Sequence, residues 1–402
     1  MFDAMVNIGK REFVKLSCAF AGLSLVPAGI MQAAGQKFKK VKRSLVFIIV
    51  VIFLFEINLP GQVLKDTASL RLVKQGVDMI YNMQFDEAEA IYKKVTAKYP
   101  DNPVLSVYKG LLTYWQYFPI IPSSPHKETF EKEMLRAIEL IEKKENFKSD
   151  PEYLLANIGA RGLLLLFYAD NDLTRDVINM ASGTYQYVKE AFKHTSSYAD
   201  FYFVTGLYNY YREAYPEAHP VYKPLALLFP KGDKSKGLRE LQISSKNAIV
   251  LKAEALTFLT GIYISFENNF QQAYKYSKAL CELYPDNSQY RIVYLKNLLL
   301  VKRYTEAENI LKHAHEKPGS FFQAEYDIMN GILQEKYHHN KKLAEHYYEK
   351  GIRQIEPFGT FGSEFAAYAY YGLSRLASDK HQKKTYRKKA DDLAVFENVN
   401  FD

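Results

Sequence analysis

The sequence predicts an all-α fold, a right-handed solenoid of helix–turn–helix hairpins running from about residue 66 to the end of a 402-residue chain. Two observations predict it. Residues 76–102 (GVDMIYNMQFDEAEAIYKKVTAKYPDN) align without a gap on residues 261–287 (GIYISFENNFQQAYKYSKALCELYPDN). Between and beyond these windows, apolar residues recur at three- and four-residue spacing, the period of a helix with one buried face. A hairpin repeated in this way cannot bury its apolar face alone, and stacked neighbours supply the missing core.

Composition narrows the class. The chain is 48% hydrophobic and 15% aromatic, too apolar for disorder. Of its net charge of +8, +5 lies before Val63, so the body has no basic bias and no nucleic-acid partner is expected. Two cysteines, Cys18 and Cys281, are too few for a disulfide framework.

The first 62 residues read as a leader. Five basic side chains in KFKKVKR (37–43) precede an unbroken apolar run from Leu45 to Phe55, and Glu56 ends it. A basic flank and an apolar core of this length (44–55) describe a secretory signal. The run is short for a hydrocarbon layer of about 30 Å. Extending it over 44–59 gives the alternative, a retained membrane anchor with Glu56 inside. Either form predicts export to the cell envelope, as a periplasmic, outer-membrane-associated or anchored protein. Met31 sits just upstream of the basic run, so residues 1–30 read as an over-extended start.

The solenoid then follows in order. In the two aligned windows the shared positions are Gly76 and Gly261, Phe85 and Phe270, Ala88 and Ala273, and Pro100 and Pro285. Small Gly and Ala let paired helices approach, the aromatic fills space near the turn, and proline closes the second helix. Asp-Asn after it suits a turn and the next helix cap. These residues, with Tyr92, resemble the tetratricopeptide repeat, a helix–turn–helix unit of 34 residues. The second window departs at Ser277, where the first has Tyr92. Weaker copies carry Tyr304, Ala307 and Leu311, then Gly331, Ala344, Tyr348 and Pro357, then Gly372, Tyr386 and Ala390. Residues 104–196 are helical by pattern without matching the signature.

Residues 215–234 interrupt the pattern as a proline-rich irregular insert. Pro216, Pro220, Pro224 and Pro230 fall within fifteen residues, and proline removes a backbone donor and clashes inside a helix. The apolar LALLF (225–229) within it is expected to be buried. Gly232 and Gly237 in PKGDKSKG do not make a phosphate loop, because Leu238 stands where lysine is needed. Asp233 or Ser235 is expected to cap the following helix. Residues 206–244 resemble the middle of the inclusion-body-clearance proteins and their tetratricopeptide relatives, and are similar to secreted helical-repeat proteins of Bacteroidota-type bacteria. The matching residues are Gly206, Pro224, Phe229, Gly232, Asp233, Gly237 and Leu238. Both resemblances imply a non-enzymatic scaffold with an extended insert between hairpins.

No catalytic or metal-binding pattern stands out. His313 and His315 point to different helix faces, and no H-E-x-x-H or Cys/His spacing occurs. No Gly-x-Ser-x-Gly elbow appears. Neither a cofactor nor a metal is expected, and no catalytic residue is assigned. The basic run at 380–392 reads as a solvated terminal cap. Tyr208, Tyr211 and Tyr215 share a helical face with Arg212 interleaved, and His219 follows. These are the candidate partner-binding residues, since Tyr and Arg are enriched in binding hot spots; packing between hairpins is the competing reading. The expected function is a protein or peptide scaffold using a concave groove. The alternative is a small-molecule or lipid carrier with an aromatic-rich pocket near 201–230.

Overall fold

The computed structural model describes residues 62–402 apart from residues 182, 315, 395 and 397. The leader and Cys18 lie outside the described residues.

Every regular element among the described residues is helical. Helices α1 (Thr67–Tyr81) and α2 (Phe85–Lys98) form the first hairpin, and α3 (Pro103–Gln116) and α4 (Lys127–Glu142) the second. The long α5 (Pro151–Asp170) leads into the short α6 (Thr174–Ala181) and α7 (Tyr185–Ala191). Helix α8 (Phe201–Ala218) pairs with α10 (Lys234–Asn247) across a segment holding the four-residue α9 (Lys223–Ala226). Four more hairpins follow: α11 (Lys252–Ser265) with α12 (Phe270–Leu283), α13 (Ser288–Leu300) with α14 (Tyr304–His313), α15 (Phe321–Lys336) with α16 (Lys341–Ile355), and α17 (Ser363–Leu376) with α18 (Lys380–Leu393). Helices adjacent in sequence pack together, which makes the chain an all-α helical-repeat solenoid.

Short polar side chains set the helix starts. Asn102, Asp150, Asn269, Asn287, Ser320, Asn340 and Asp379 each accept a hydrogen bond from a backbone N–H in the first turn. Such caps satisfy donors that have no partner inside the helix. Asp233 caps α10 as expected, accepting from Lys236 N at 2.8 Å.

The two sequence repeats are alike in chain path but not in packing. Ala88 and Ala273 are fully buried in both, and Pro100 and Pro285 each stand two residues past a helix end. Gly76 admits the ring of Tyr108, whose hydroxyl would lie 2.0 Å from a Cβ there. Tyr108 also stacks on Tyr92, at 5.9 Å between ring centroids. Gly261 has no such neighbour, and a Cβ built on it meets nothing within 4 Å. Close approach is therefore not the reason for Gly261. The residue at Tyr108's offset in the second window is Val293, which is too short to fill the space.

The proline-rich insert is shorter than 215–234. Helix α8 passes through Pro216 and ends at Ala218. One backbone bond is forfeited there, and burial of Pro216 and of Tyr215 against Tyr222 offsets it. The irregular part is 219–233, including a turn of 3₁₀-helix at Pro220–Tyr222. Gly206 and Gly237 face each other across α8 and α10, with a Cβ on Gly237 placed 2.8 Å from Gly206 O. Gly232 similarly sits against Asn209 O. These glycines serve helix contact.

The solenoid closes on itself. The end of α1 meets the α12–α13 turn, about 200 residues later. Asn287 Nδ2 donates to Tyr81 O at 2.7 Å, and Tyr284 OH donates to Asp78 at 3.1 Å. Asn82 and Asp286 exchange two more bonds, at 2.9 and 3.0 Å. Farther round, Phe118 packs on Phe321, Phe322 and Phe361. Two buried carboxylates tie segments inside the ring. Glu152 accepts from Val63 N and Leu64 N, and Asp200 from the amides of Ile249, Val250 and Leu251.

Candidate functional site

Closure leaves a cavity of about 370 Å³ in the concave face. It is lined by Val73, Val77 and Tyr81 of α1 and by Val104, Tyr108, Leu111 and Trp115 of α3. Helix α5 adds Ile158, Gly159, Gly162, Leu163 and Leu166, and α8 adds Phe203, Val204 and Leu207. Val250 and Leu251 just ahead of α11, Glu254 and Phe258 within it, and Tyr290 and Val293 of α13 also line it. The volume lies in the range of small-molecule sites, and the mix of many apolar groups with few polar ones is typical of them.

Two features of the wall come from residues that ordinary packing would not select. The first is the glycine pair in α5. A Cβ at Gly159 would touch only Val107, at 3.8 Å, and one at Gly162 would meet nothing within 4 Å. Glycine inside a helix costs about 1 kcal/mol relative to alanine. No close helix contact accounts for either residue, and both keep the cavity wall free of side chains.

The second is Glu254. It is the one carboxyl among the described lining residues, which include no Lys, Arg or His. Tyr81 OH donates to its Oε1, and its Oε2 is buried without a hydrogen-bond partner among the described residues. Burial pushes its pKa up to about 7, helped by the negative Asp200 and opposed by the Tyr81 bond. Gln289 Oε1, also in the wall, is likewise buried without a partner. Buried polar atoms in this condition are costly, and each calls for an explanation. Beside Glu254 the rings cluster: Tyr81 lies 5.8 Å from Trp115 and 6.4 Å from Tyr290, and Trp115 lies 5.2 Å from Tyr290.

The candidate binding residues from the sequence are elsewhere. Tyr208, Tyr211, Arg212 and Tyr215 are buried, not displayed on a groove. Tyr211 packs edge-on against Phe266, and the other three hold the protein's own insert. Tyr208 OH donates to Pro230 O at 2.7 Å, and Arg212 Nε and Nη2 both donate to Phe229 O. Glu213 accepts from Gly232 N at 2.8 Å, and Tyr215 stacks near His219, at 4.5 Å between ring centroids. The insert consumes this face, so it presents no open hot spot. The expectation that LALLF is buried holds for Ala226 and Phe229 and fails for Leu227 and Leu228. Leu227 and Leu228 are 78% and 70% exposed, the most exposed large apolar side chains described. The short helix α9 turns them outward while Phe229 anchors the loop between Tyr185 and Arg212.

The aromatic pocket expected at 201–230 contributes three residues to the cavity, Phe203, Val204 and Leu207, from the opposite face of α8. The rest of the wall comes from segments that the sequence pattern marks as packing helices and not as a site. The overlooked signals were a glutamate alone in the apolar helix KAEALTFLTGIYIS and two glycines three apart in YLLANIGARGLLLLFY. Helix α18 is exposed along most of its length and buries Ala390. No group of His, Cys, Asp or Glu among the described residues is arranged to hold a metal ion. No described helix is long and apolar enough to cross a membrane. The chain matches no known family model and no curated protein.

Proposed function

We propose that this protein is a non-enzymatic carrier or receptor for a predominantly apolar small molecule held in the cavity of the closed solenoid. One observation carries the reading: the apolar wall is kept open by mid-helix glycines at 159 and 162, where a Cβ would meet one ordinary contact at 159 and nothing within 4 Å at 162. A repeat protein under selection for stability alone would fill that space, since alanine there adds helix stability and packing. The test uses the purified chain, stripped of bound molecules and exposed to a cellular lipid extract. Native mass spectrometry is expected to recover a retained molecule. Gly162→Phe, which projects a ring into the cavity, is expected to lose it while folding normally. Retention of the same molecule by Gly162→Phe would overturn the proposal.

A second reading rests on the insert tip. Exposed Leu227 and Leu228, with Val221 beside them in the same loop, favour a protein partner docking there. Replacing both leucines with serine is expected to abolish a specific pull-down partner without changing cavity occupancy. Under either reading we take the repeats to be of tetratricopeptide type, on the spacing of 76–102 and 261–287, and the chain to work in the cell envelope, on the leader pattern at 44–55. Recovery of the protein from the cytosol alone would remove that placement.

A further inference from the structure

We infer that the cavity selects a ligand with a protonated amine on an apolar body, the amine held between Glu254 and the rings of Tyr81, Trp115 and Tyr290. This rests on the ligand-binding reading above and goes beyond it in naming the chemistry of the polar end.

The charge pattern of the wall is the first reason. Its described lining has one carboxyl and no basic side chain, so a carboxylate or phosphate ligand would enter without a counter-charge. An unpaired buried anion is strongly disfavoured. A cation would meet the reverse situation. The second reason is the state of Glu254. Tyr81 OH fixes Oε1, leaving buried Oε2 with one unmet demand for a donor. An ammonium supplies such a donor together with the opposite charge, the combination that makes the stronger class of hydrogen bond. The third reason is the ring cluster. Electron-rich faces within about 6 Å attract a cation, most of all when it is desolvated. Tyr81, Trp115 and Tyr290 lie within 5.2 to 6.4 Å of one another beside that carboxyl.

The charged and titratable groups facing Glu254 are Tyr81 from α1, Tyr284 and Tyr290 from the α12–α13 turn and α13, and Asp200 ahead of α8. None is cationic. The carboxyl is therefore about half protonated near neutral pH, and cation binding favours its ionised form. An alkylamine itself stays charged throughout, as lysine does with its pKa of about 10.4. Amine affinity then rises as pH rises through about 7.

Trp115 is the sole tryptophan of the chain and lies in this wall, so its fluorescence reads occupancy directly. Decylamine, decanol and decanoate present three head groups on one tail. The full chain is expected to bind decylamine on the order of tenfold or more tighter than decanol at about pH 8, with decanoate weakest. That preference is expected to collapse at about pH 5.5 and in Glu254→Gln, while decanol affinity stays within about twofold in both. The pH series on the wild-type chain serves as the test should the variant fold poorly. Equal binding of all three, preference for decanoate, or an amine preference unmoved by both pH and Glu254→Gln overturns this inference and leaves the carrier reading standing. Binding of none of the three, with no molecule retained from lipid extract, overturns the carrier reading itself.

Discussion

A Cβ built at Gly237 would lie 2.6 Å from the amide nitrogen of Tyr210, whereas one built at Gly162 has free space around it. The same substitution should therefore act with opposite signs. Gly237→Ala forces two helix backbones apart and is expected to cost about 1–3 kcal/mol. Gly162→Ala removes a flexible residue from a helix interior and is expected to gain about 0.5–1 kcal/mol. Urea denaturation of both variants checks the pair. Glu254 adds a pH signature at this scale. Its pKa rises on folding from 4.5 to about 7, so the folded chain holds the proton more tightly. The stability tied to that proton is complete below pH about 4.5 and is lost as pH rises through about 7, up to roughly 3 kcal/mol. Glu254→Gln abolishes this loss. Its stability relative to wild type should climb between about pH 5 and 8, as denaturation midpoints across that range would report.

At the scale of elements, the insert shows what a sequence conveys and what it conceals. Asp233 was legible as a helix cap, because a short acceptor followed by a helical pattern has few other uses. The exclusion of a phosphate loop was legible from Leu238. The path of α8 through Pro216 was not, because the compensation comes from tertiary burial of Tyr215 and Pro216. The fate of the Tyr/Arg face was hidden for the same reason. Period and composition place Tyr208, Tyr211 and Arg212 on one side of α8, but the folded-back loop covers Tyr208 and Arg212, and Phe266 packs on Tyr211. Arg212→Ala should leave Phe229 O without its two donors and loosen the insert. Proteolysis at Leu227–Leu228 is expected to speed up by about tenfold or more, with cavity binding unchanged, since a charged hydrogen bond contributes about 1.5–3 kcal/mol. Unchanged digestion kinetics would show that the Tyr208 and Glu213 contacts hold the loop alone.

At the scale of the molecule, closure is the property that neighbour-by-neighbour reasoning misses. Repeat arrays are sums of local interfaces, and their sequence periodicity reports those interfaces. The contacts of Tyr81 with Asn287 and of Asp78 with Tyr284 span 206 residues and leave no periodic trace. The all-α solenoid was therefore readable and its cavity was not. Asn287 both caps α13 and donates across the junction, so Asn287→Ala is expected to cost about 2–3 kcal/mol. Asn82→Ala, at the exposed edge of the same junction, should cost under about 1 kcal/mol. Trp115 fluorescence and circular dichroism followed through urea should give coincident transitions in the wild type and separate ones in Asn287→Ala.

Closure also fixes a schedule. Ribosomes add about 5–20 residues per second, so α1 emerges roughly 10–40 s before the segment it must dock on. Throughout that interval Val73, Val77 and Tyr81 lack the part of the wall that Tyr290 and Val293 supply. A nascent or truncated chain ending before residue 284 would offer an apolar slab to the cell in place of a binding site. Quality control thus meets this protein as an exposed surface long before any ligand could meet it as a cavity.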